Sequence, residues 1–353
     1  LIGDQVIPVK NTPPDVLDLQ SSLAAMVAGG MSAVAMEVSS HALALGRVAG
    51  CEFDAAVFTN MTQDHLDFHG DLTAYRDAKA TLFRLLDAAN ALKPNKNAIV
   101  NIDDPAGRFM LQTTQATAIT YGIEQAADLQ AVDVIIRPEG CRFRVVGRFG
   151  EFIVQSRLTG LFNIYNQLAA IGVALAEGID IADIQAALAD FSNVPGRFER
   201  VEIDKPFSVI VDYAHTPDGL ENVLRTAKQF VTGRLIAVFG CGGDRDRTKR
   251  PIMGELAARY ADRVIVTSDN PRSEEPEFII GQIMAGIATA EAQRRTETIA
   301  DRRLAIQRAM EIAAAGDVIL VAGKGHENYQ ILADRTIHFD DREVVQELAG
   351  GKS

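Results

Sequence analysis

Several short motifs carry side chains suited to binding phosphate, carboxylates and metal ions. Glu37 lies near the end of the apolar run Ser32 to Val38, and the segment Asp64 to His69 places two His and two Asp shortly after the run Ala55 to Thr59. Carboxylates are oxygen ligands that Mg²⁺ prefers, and His can bind a metal or transfer a proton. Taken alone, Glu37 is better explained as a solvent-facing strand end, whereas the Asp64 cluster slightly favours metal or phosphate chemistry over capping and turn formation.

Three further loops combine glycine or proline with charged residues, and each follows an apolar run. They are the glycine-rich loop (Gly240–Arg247) after Leu235–Phe239, the DNPR loop (Asp269–Arg272) after Arg263–Thr267, and the GKGHE loop (Gly323–Glu327) after Val318–Val321. Glycine lets the backbone approach a ligand closely, and Arg can bind a carboxylate through two parallel hydrogen bonds. Ordinary turns explain each loop about equally well by itself. Because all three follow strands of one predicted sheet, we expect them to converge on one edge.

The elements that would position these motifs are alternating strands and helices. Uninterrupted apolar runs separated by helical stretches predict parallel sheets covered on both faces. The predicted strands are Ser32–Val38, Ala55–Thr59, Asn97–Asn101, Ser208–Val211, Leu235–Phe239, Arg263–Thr267 and Val318–Val321. The predicted helices are Leu72–Leu86, Ile164–Glu177, Ile181–Ala189, Pro217–Phe230, Ile252–Tyr260 and Arg302–Ala314.

Two segments interrupt this pattern and suggest how the chain is divided. Leu129 to Leu158 changes to an alternation of apolar and polar residues, which predicts an antiparallel hairpin inserted in or flanking the first sheet. Phe191 to Pro206 contains two prolines and has no helical periodicity. We therefore predict two α/β domains, residues 1–193 and residues 194–353.

Composition excludes some classes of function. The chain has 353 residues, with 35 Lys and Arg against 47 Asp and Glu, a formal charge of −12. This charge argues against non-specific nucleic-acid binding, which depends on Lys and Arg. Three scattered cysteines without a CxxC pair indicate reduced thiols, as in a cytoplasmic protein. No apolar run approaches the roughly 20 residues that span a bilayer, and no signal peptide is visible, so we expect no membrane association.

In their order along the chain, the motifs resemble the Mur ligases, and within that family the members that add meso-diaminopimelate. The matching segments are Met36–Leu43, Phe58–Gly70, Ala74–Phe83, Leu158–Ala170, Val194–Val201, Asp212–Leu224, Phe239–Gly254, Asp269–Arg272 and Ala322–Gln330. The resemblance extends from about Lys10 to Asp341. It implies a partial P-loop-NTPase-like central parallel sheet with a small antiparallel insertion, followed by a Rossmann-like C-terminal domain.

The resemblance also implies an ATP-dependent amide ligase of peptidoglycan precursor synthesis, acting as a monomer. The γ-carboxylate of D-Glu in UDP-N-acetylmuramoyl-L-Ala-D-Glu would take the γ-phosphoryl group of ATP, and an amine of meso-diaminopimelate would then displace phosphate. Mg²⁺ and cationic side chains suit this chemistry because it brings anions together. The alternatives are another Mur or folylpolyglutamate-type amide ligase, and a non-catalytic amino-acid-binding module.

Residue roles follow from the same resemblance. It implies that the catalytic metal-site residues are Glu37, His65 and Lys79, the lysine as a carbamate. The implied ATP contacts are Asn163, Asn166, Arg197, Asp212 and His215. The implied muramyl-dipeptide contacts are Thr12, Ser39 and Arg47. The implied diaminopimelate contacts are Arg245, Asp269, Asn270, Pro271, Arg272, Gly323 and Glu327, with Arg272 binding the second carboxylate and Glu327 the distal ammonium.

The chain departs from the family pattern in three respects. Pro13 stands where a Thr is usual, which weakens the role assigned to Thr12, and Leu45 stands where some relatives have Gln. No GxxxxGK[ST] motif occurs, and no segment matches the family's N-terminal domain. Since the chain also begins with Leu rather than Met, we expect both parts to lie upstream in the intact protein and the 353-residue chain to be inactive by itself.

Overall fold

The computed structural model describes residues 7, 12–61, 66–87, 93 and 95–350. Within these residues the strands form two six-stranded sheets and one two-stranded sheet. Up to residue 190 the elements are α1 (Val16–Ala28), α2 (Ser40–Ala44), β1 (Ala55–Phe58), α3 (Leu66–His69), α4 (Leu72–Leu86), β2 (Asn97–Asn101), α5 (Gly107–Gln112), β3 (Thr117–Gly122), β4 (Leu129–Arg137), β5 (Gly140–Gly147), β6 (Phe152–Ser156), α6 (Leu161–Ala176) and α7 (Ile181–Asp190). The later elements are β7 (Glu199–Val201), β8 (Ser208–Asp212), α8 (Pro217–Lys228), β9 (Leu235–Phe239), α9 (Lys249–Tyr260), β10 (Arg263–Val266), α10 (Pro276–Met284), α11 (Ala290–Arg294), β11 (Thr296–Thr298), α12 (Arg302–Ile312), β12 (Val318–Ala322), β13 (Tyr329–Ile331), β14 (Thr336–His338) and α13 (Asp341–Leu348).

The first sheet has the strand order β1-β2-β3-β4-β5-β6. Its first four strands pair in parallel, and β2 is buried along its whole length, as expected of an apolar strand between two neighbours. Only Pro138 and Glu139 connect β4 to β5, which is too short for a parallel crossover and makes these two strands a hairpin.

Helix α4, which carries the predicted lysine Lys79, packs on this sheet. It begins where Asp71 Oδ1 accepts a hydrogen bond from Ala74 N at 2.8 Å, a standard N-cap. Phe83 on its apolar face is buried in the same cluster as Phe58 of β1. Burying a side chain of this size stabilises the fold by about 1.5–3 kcal/mol, so α4 is held firmly against the sheet.

The second sheet has the order β11-β10-β9-β12-β8-β7, and every pair in it is parallel except β7 with β8 at one edge. Helices α8, α9 and α10 bury their apolar residues on one face, and α12 and α13 do so on the other. The two central strands, β9 and β12, are buried throughout, as their continuous apolar runs predict.

The chain divides into two compact units. The first unit comprises the described residues up to 133 together with 144–153 and 165–185, and the second comprises 134–143, 154–164 and the residues from 186 onward. The division into residues 1–193 and 194–353 stays a prediction.

The predicted α/β class with two sheets is confirmed, and so are six of the seven predicted strands. The seventh prediction, a strand over Ser32–Val38, is wrong. These residues have no regular structure, and Val34 is 49% exposed. An apolar run forms a strand only beside a neighbour that accepts its backbone hydrogen bonds, and no described strand pairs with this segment.

In the described part of the chain, no helix is both long enough and apolar enough to cross a membrane.

Candidate functional site

The second sheet brings the three predicted loops to one edge. β9 pairs in parallel with both β10 and β12, so Phe239 lies beside Val266 and Ala322, and the loops start from adjacent strand ends. A Cβ atom built on Gly323 would lie 2.4 Å from Asp269 Oδ2, so only glycine fits where the GKGHE loop meets the DNPR loop. The glycine-rich, DNPR and GKGHE loops therefore converge, as the sequence predicted, and together they form the loop edge of the second sheet.

Hydrogen bonds join the DNPR loop to the GKGHE loop and to β13 behind it. Asn270 Nδ2 donates to Glu327 Oε2 at 3.0 Å, and Asn270 Oδ1 accepts from Ile331 N at 2.9 Å. The buried Gln330 donates from Nε2 to Asp269 O at 2.7 Å. Because each of these groups already has a partner, the loops hold one geometry before any ligand binds.

Two arginines lie near Gly242, Arg245 from the glycine-rich loop itself and Arg272 from the DNPR loop. Arg272 is half-buried and donates from Nη1 to Gly243 O at 2.8 Å, whereas Arg245 is exposed. A Cβ atom built on Gly242 would lie 2.9 Å from Arg272 Nη1 and 3.7 Å from Arg245 Cγ, so both side chains flank the same backbone position. The Arg272 guanidinium and the aliphatic part of Arg245 therefore lie beside the same backbone position, and an arginine there can bind a carboxylate or another anion.

A buried ion pair supports the glycine-rich loop. The side chain of Arg250 is fully buried and donates to both oxygens of Glu274 at 3.0 Å, and to Gly242 O at 3.0 Å. Glu274 also accepts from Asp244 N at 2.7 Å. Hydrogen bonds from Arg250 and from Asp244 N lower the pKa of Glu274 to about 2. Sequence reasoning missed this pair because nothing in the spacing of Arg250 and Glu274 indicates that they meet.

Asp212, a predicted nucleotide contact, is buried at the end of β8. Its Oδ2 accepts from Phe198 N at 2.7 Å, and its Oδ1 accepts from Ala214 N at 2.7 Å. Burial raises the pKa of the Asp212 carboxyl, and these two amide N–H groups offset part of that rise. The carboxylate therefore fixes two backbone positions, Ala214 just after β8 and Phe198, which has a left-handed backbone conformation (φ 48°).

The aromatic ring of Tyr213 is the centre of a group of nitrogen-rich side chains. The guanidinium carbon of Arg197 lies 5.0 Å from its ring centroid, and the rings of His215 and His326 lie 4.7 and 5.0 Å away. Cations and π-faces together suit a nucleotide, because they can contact both phosphate and base. The structure thus brings Arg197 and His215 together and adds Tyr213 and His326, which the sequence had not singled out.

Two predicted nucleotide contacts lie in the first part of α6. Asn163 is buried and donates from Nδ2 to Thr159 O at 2.9 Å, whereas Asn166 is exposed. They are three residues apart on one helix, which places them on the same side of it. Their contact with ATP stays a prediction.

Lys79 lies in a cluster of ring side chains in the first unit. Its Nζ is 4.9 Å from the centroid of the Tyr75 ring, and the ring of His69 lies 5.3 Å from that of Tyr75. A hydrogen bond of 2.9 Å joins His69 Nε2 and Ser40 Oγ. The predicted lysine therefore belongs to a half-buried polar cluster and not to an open helix surface.

Two of the three predicted metal ligands, Glu37 and Lys79, are among the described residues. Glu37 is exposed on the irregular segment before α2, and His65 lies outside the described residues. No group of three or more His, Cys, Asp or Glu that could hold a metal occurs in the described part of the chain. Nothing in the described geometry therefore tests Mg²⁺ binding at these positions.

The predicted muramyl-dipeptide contacts flank two helices: Thr12 precedes α1, Ser39 is the N-cap of α2, and Arg47 follows α2. Ser39 caps α2 by accepting from Ala42 N at 3.2 Å, and Arg47 pairs with Asp15, the N-cap residue of α1, at 3.1 Å. Thr12 is exposed and lines a cavity of about 330 Å³ whose wall also includes Glu37.

The chain belongs to the Mur ligase family. The family model of the Mur ligase middle domain matches residues 1–174, and that of the Mur ligase glutamate ligase domain matches residues 196–325. The Lys79 cluster lies in the segment matched by the middle domain, and the Tyr213 ring and the DNPR loop lie in the segment matched by the glutamate ligase domain.

Curated relatives carry a more specific name, UDP-N-acetylmuramoyl-L-alanyl-D-glutamate–2,6-diaminopimelate ligase. The relative from Geobacillus thermodenitrificans is 49% identical over 345 residues, which cover 98% of this chain and 70% of the relative. The relative from Gloeobacter violaceus is 51% identical over 339 residues, which cover 96% of this chain and 67% of the relative. A solved structure of a ligase with the same name matches with a TM-score of 0.70 at 40% identity, over 95% of this chain and 68% of that chain.

A Mycobacterium tuberculosis folylpolyglutamate synthase complexed with ADP matches with a TM-score of 0.60 at 23% identity, over 77% of this chain and 61% of that chain. At that identity the match indicates a shared fold alone.

Proposed function

We propose that this chain belongs to an ATP-dependent ligase that joins meso-diaminopimelate to the γ-carboxylate of D-Glu in UDP-N-acetylmuramoyl-L-Ala-D-Glu. In the proposed reaction the γ-carboxylate attacks the γ-phosphorus of ATP, and ADP leaves. An amine of diaminopimelate then attacks the acyl carbon, an amide bond forms, and phosphate leaves with the bonding electrons. The amine loses one proton to solvent or to a base.

The observation that carries the proposal is the loop edge, where Arg272 and Arg245 flank Gly242 while Asn270 is bonded to Glu327. Diaminopimelate carries two carboxylates and two ammonium groups, so it needs both cations and an acceptor. The shared name of relatives about half identical to this chain supports the same substrate.

The Tyr213 group supports a role for ATP. In the proposal Arg197 and His215 contact the nucleotide, and Asn163 and Asn166 of α6 are the further ATP contacts that the family resemblance implies. The Asp212 carboxylate accepts hydrogen bonds from Phe198 N and Ala214 N. In the proposal it also contacts the ribose of ATP.

Cys241 in the glycine-rich loop has no role in the proposed reaction. Burial raises the pKa of its thiol to about 12, so the thiol stays protonated at neutral pH and is a poor nucleophile. Mg²⁺, when bound, would screen the phosphate charges.

Calorimetry with the 353-residue chain tests the amino-acid part. We expect meso-diaminopimelate to bind more tightly than L-lysine, D-alanyl-D-alanine or L-glutamate. Tighter binding of D-alanyl-D-alanine or glutamate would instead indicate another Mur or folylpolyglutamate-type ligase.

Product analysis by mass spectrometry tests the ligase part. The protein expressed from its complete gene is incubated with ATP, Mg²⁺, the muramyl dipeptide and diaminopimelate. We expect the tripeptide product. Diaminopimelate binding without any ligation by the complete gene product would indicate a binding module and overturn the proposal.

A further inference from the structure

Lys324 is a buried lysine of the GKGHE loop to which the proposed reaction gives no role. Its side chain is fully buried, and its Nζ lies 3.3 Å from Asn270 Oδ1 and 3.4 Å from Glu327 Oε2. The ring centroid of Tyr329 lies 5.5 Å from the same nitrogen. Burying an ammonium group is costly unless it is paired, so these contacts hold Lys324 in one position.

The position of Lys324 couples it to the groups proposed to bind the amino acid. Glu327 Oε2 accepts from Asn270 Nδ2 as well as from Lys324. Asn270 in turn lies between two cations, since its main-chain oxygen is 3.4 Å from Arg272 Nη1 and its side-chain oxygen contacts Lys324. Asn270 therefore lies between the Lys324 ammonium and the Arg272 guanidinium, and Arg272 is the residue proposed to bind the second carboxylate.

We propose that Lys324 is a positioning residue that also sets the charge of this edge, so that it favours amino acids with a second carboxylate. The inference rests on the proposed function. Lys324 neutralises Glu327, so the positive charge of Arg272 is left for a ligand carboxylate. L-Lysine has the same two amines as diaminopimelate but lacks the second carboxylate, so this charge favours diaminopimelate alone.

Calorimetry of meso-diaminopimelate and L-lysine binding to variants tests the inference. Lys324→Gln removes the charge but keeps a donor for Asn270, and we expect it to reduce the preference for diaminopimelate by roughly tenfold. Lys324→Arg restores the charge and should restore most of the preference. Lys228→Gln is the control. It removes one charge from the exposed pair with Asp262, which lies at the amino-terminal end of β10, away from the loops, and it should leave the preference within about twofold.

Glu327→Gln gives an independent measurement if Lys324→Gln does not fold. It leaves the Lys324 charge uncompensated, so we expect lysine binding to weaken roughly tenfold more than diaminopimelate binding. Equal weakening of both ligands in these variants, or an unchanged preference in Lys324→Gln, would overturn the inference while the proposed function stands. Absence of any preference in the unaltered chain would overturn both.

Discussion

The loop edge of the second unit lies at the carboxyl ends of parallel strands, whereas the Lys79 cluster of the first unit lies on helix α4, which contacts α2 and α3. At the loop edge, Asn270 and Glu327 bond each other, and a fully buried lysine bonds both. In the first unit, Lys79 Nζ lies 4.9 Å from the centroid of the Tyr75 ring, and the Glu37 carboxylate is exposed to solvent.

Groups that already have partners need little reordering when a ligand binds, which favours affinity and selectivity. The loop edge has that property, so we expect selectivity for the amino acid to be a property of the second unit by itself.

The largest expected effect comes from the buried ion pair behind the loop edge. Arg302 and Asp341 are fully buried, two bonds of 2.7 Å join them, and Arg302 Nη2 also donates to Ala322 O at 3.1 Å. Arg302→Met leaves an uncompensated buried carboxylate, so we expect a loss of about 3–5 kcal/mol in the free energy of unfolding, measured with urea.

Arg303→Met is the matched control, because its pair with Glu347 is exposed and should contribute at most about 1 kcal/mol. Equal losses in the two variants would contradict the prediction.

A smaller and pH-dependent loss is expected from Glu274→Gln. The pKa of Glu274 in the folded chain is about 2, below its ordinary value of 4.5. Its contribution is therefore present above pH 4.5 and is lost as the pH falls toward 2. The urea midpoint of the variant should lie well below that of the unaltered chain at pH 7, and the gap should narrow on acidification.

Glu275→Gln changes the exposed neighbouring carboxylate and should alter the midpoint little. A gap between Glu274→Gln and the unaltered chain that stays constant from pH 7 to pH 2.5 would count against the assigned ion pair.

Arg272→Ala tests binding at the loop edge. Hydrogen bonds to a charged group contribute about 1.5–3 kcal/mol, so we expect meso-diaminopimelate to bind about 10- to 100-fold more weakly by calorimetry. Arg272→Lys should recover only part of this, because an ammonium cannot form the bidentate pair. Arg335→Ala, which removes an exposed arginine just before β14, is the control, and a loss as large as that of Arg272→Ala would refute the assignment.

The smallest expected effect lies in the first unit. Ser40→Ala removes the hydrogen bond to His69 Nε2, and because His69 is only half-buried, water can replace the serine. We expect a loss of about 1 kcal/mol in the free energy of unfolding. Ser22→Ala, which removes an exposed helix hydrogen bond to Asp18 O, should cost less. A loss above that of Arg302→Met would reverse the contrast between the two units.

The strands and long helices could be predicted from the sequence because their signals are local. The runs NAIVN and LIAVF became β2 and β9 with the predicted bounds, and the 3.6-residue period of Leu72–Leu86 became α4. The run Ser32–Val38 failed the same test, since a strand also needs a neighbour and no local signal supplies one.

For the candidate site, the sequence by itself determined which loops converge and which residue types they carry. Parallel strands end at one edge whatever their order, so glycine-rich, DNPR and GKGHE loops had to meet once their strands were recognised. Which side chains form hydrogen bonds with each other at that edge could not be predicted from the sequence and is seen only in the folded structure. Lys324 and Glu327 are three residues apart, but Asn270 lies 54 positions from Lys324, and Arg250 reaches Glu274 across 24. Pairings of that kind depend on the packing of side chains between strands, and that packing is settled only when the whole sheet has formed.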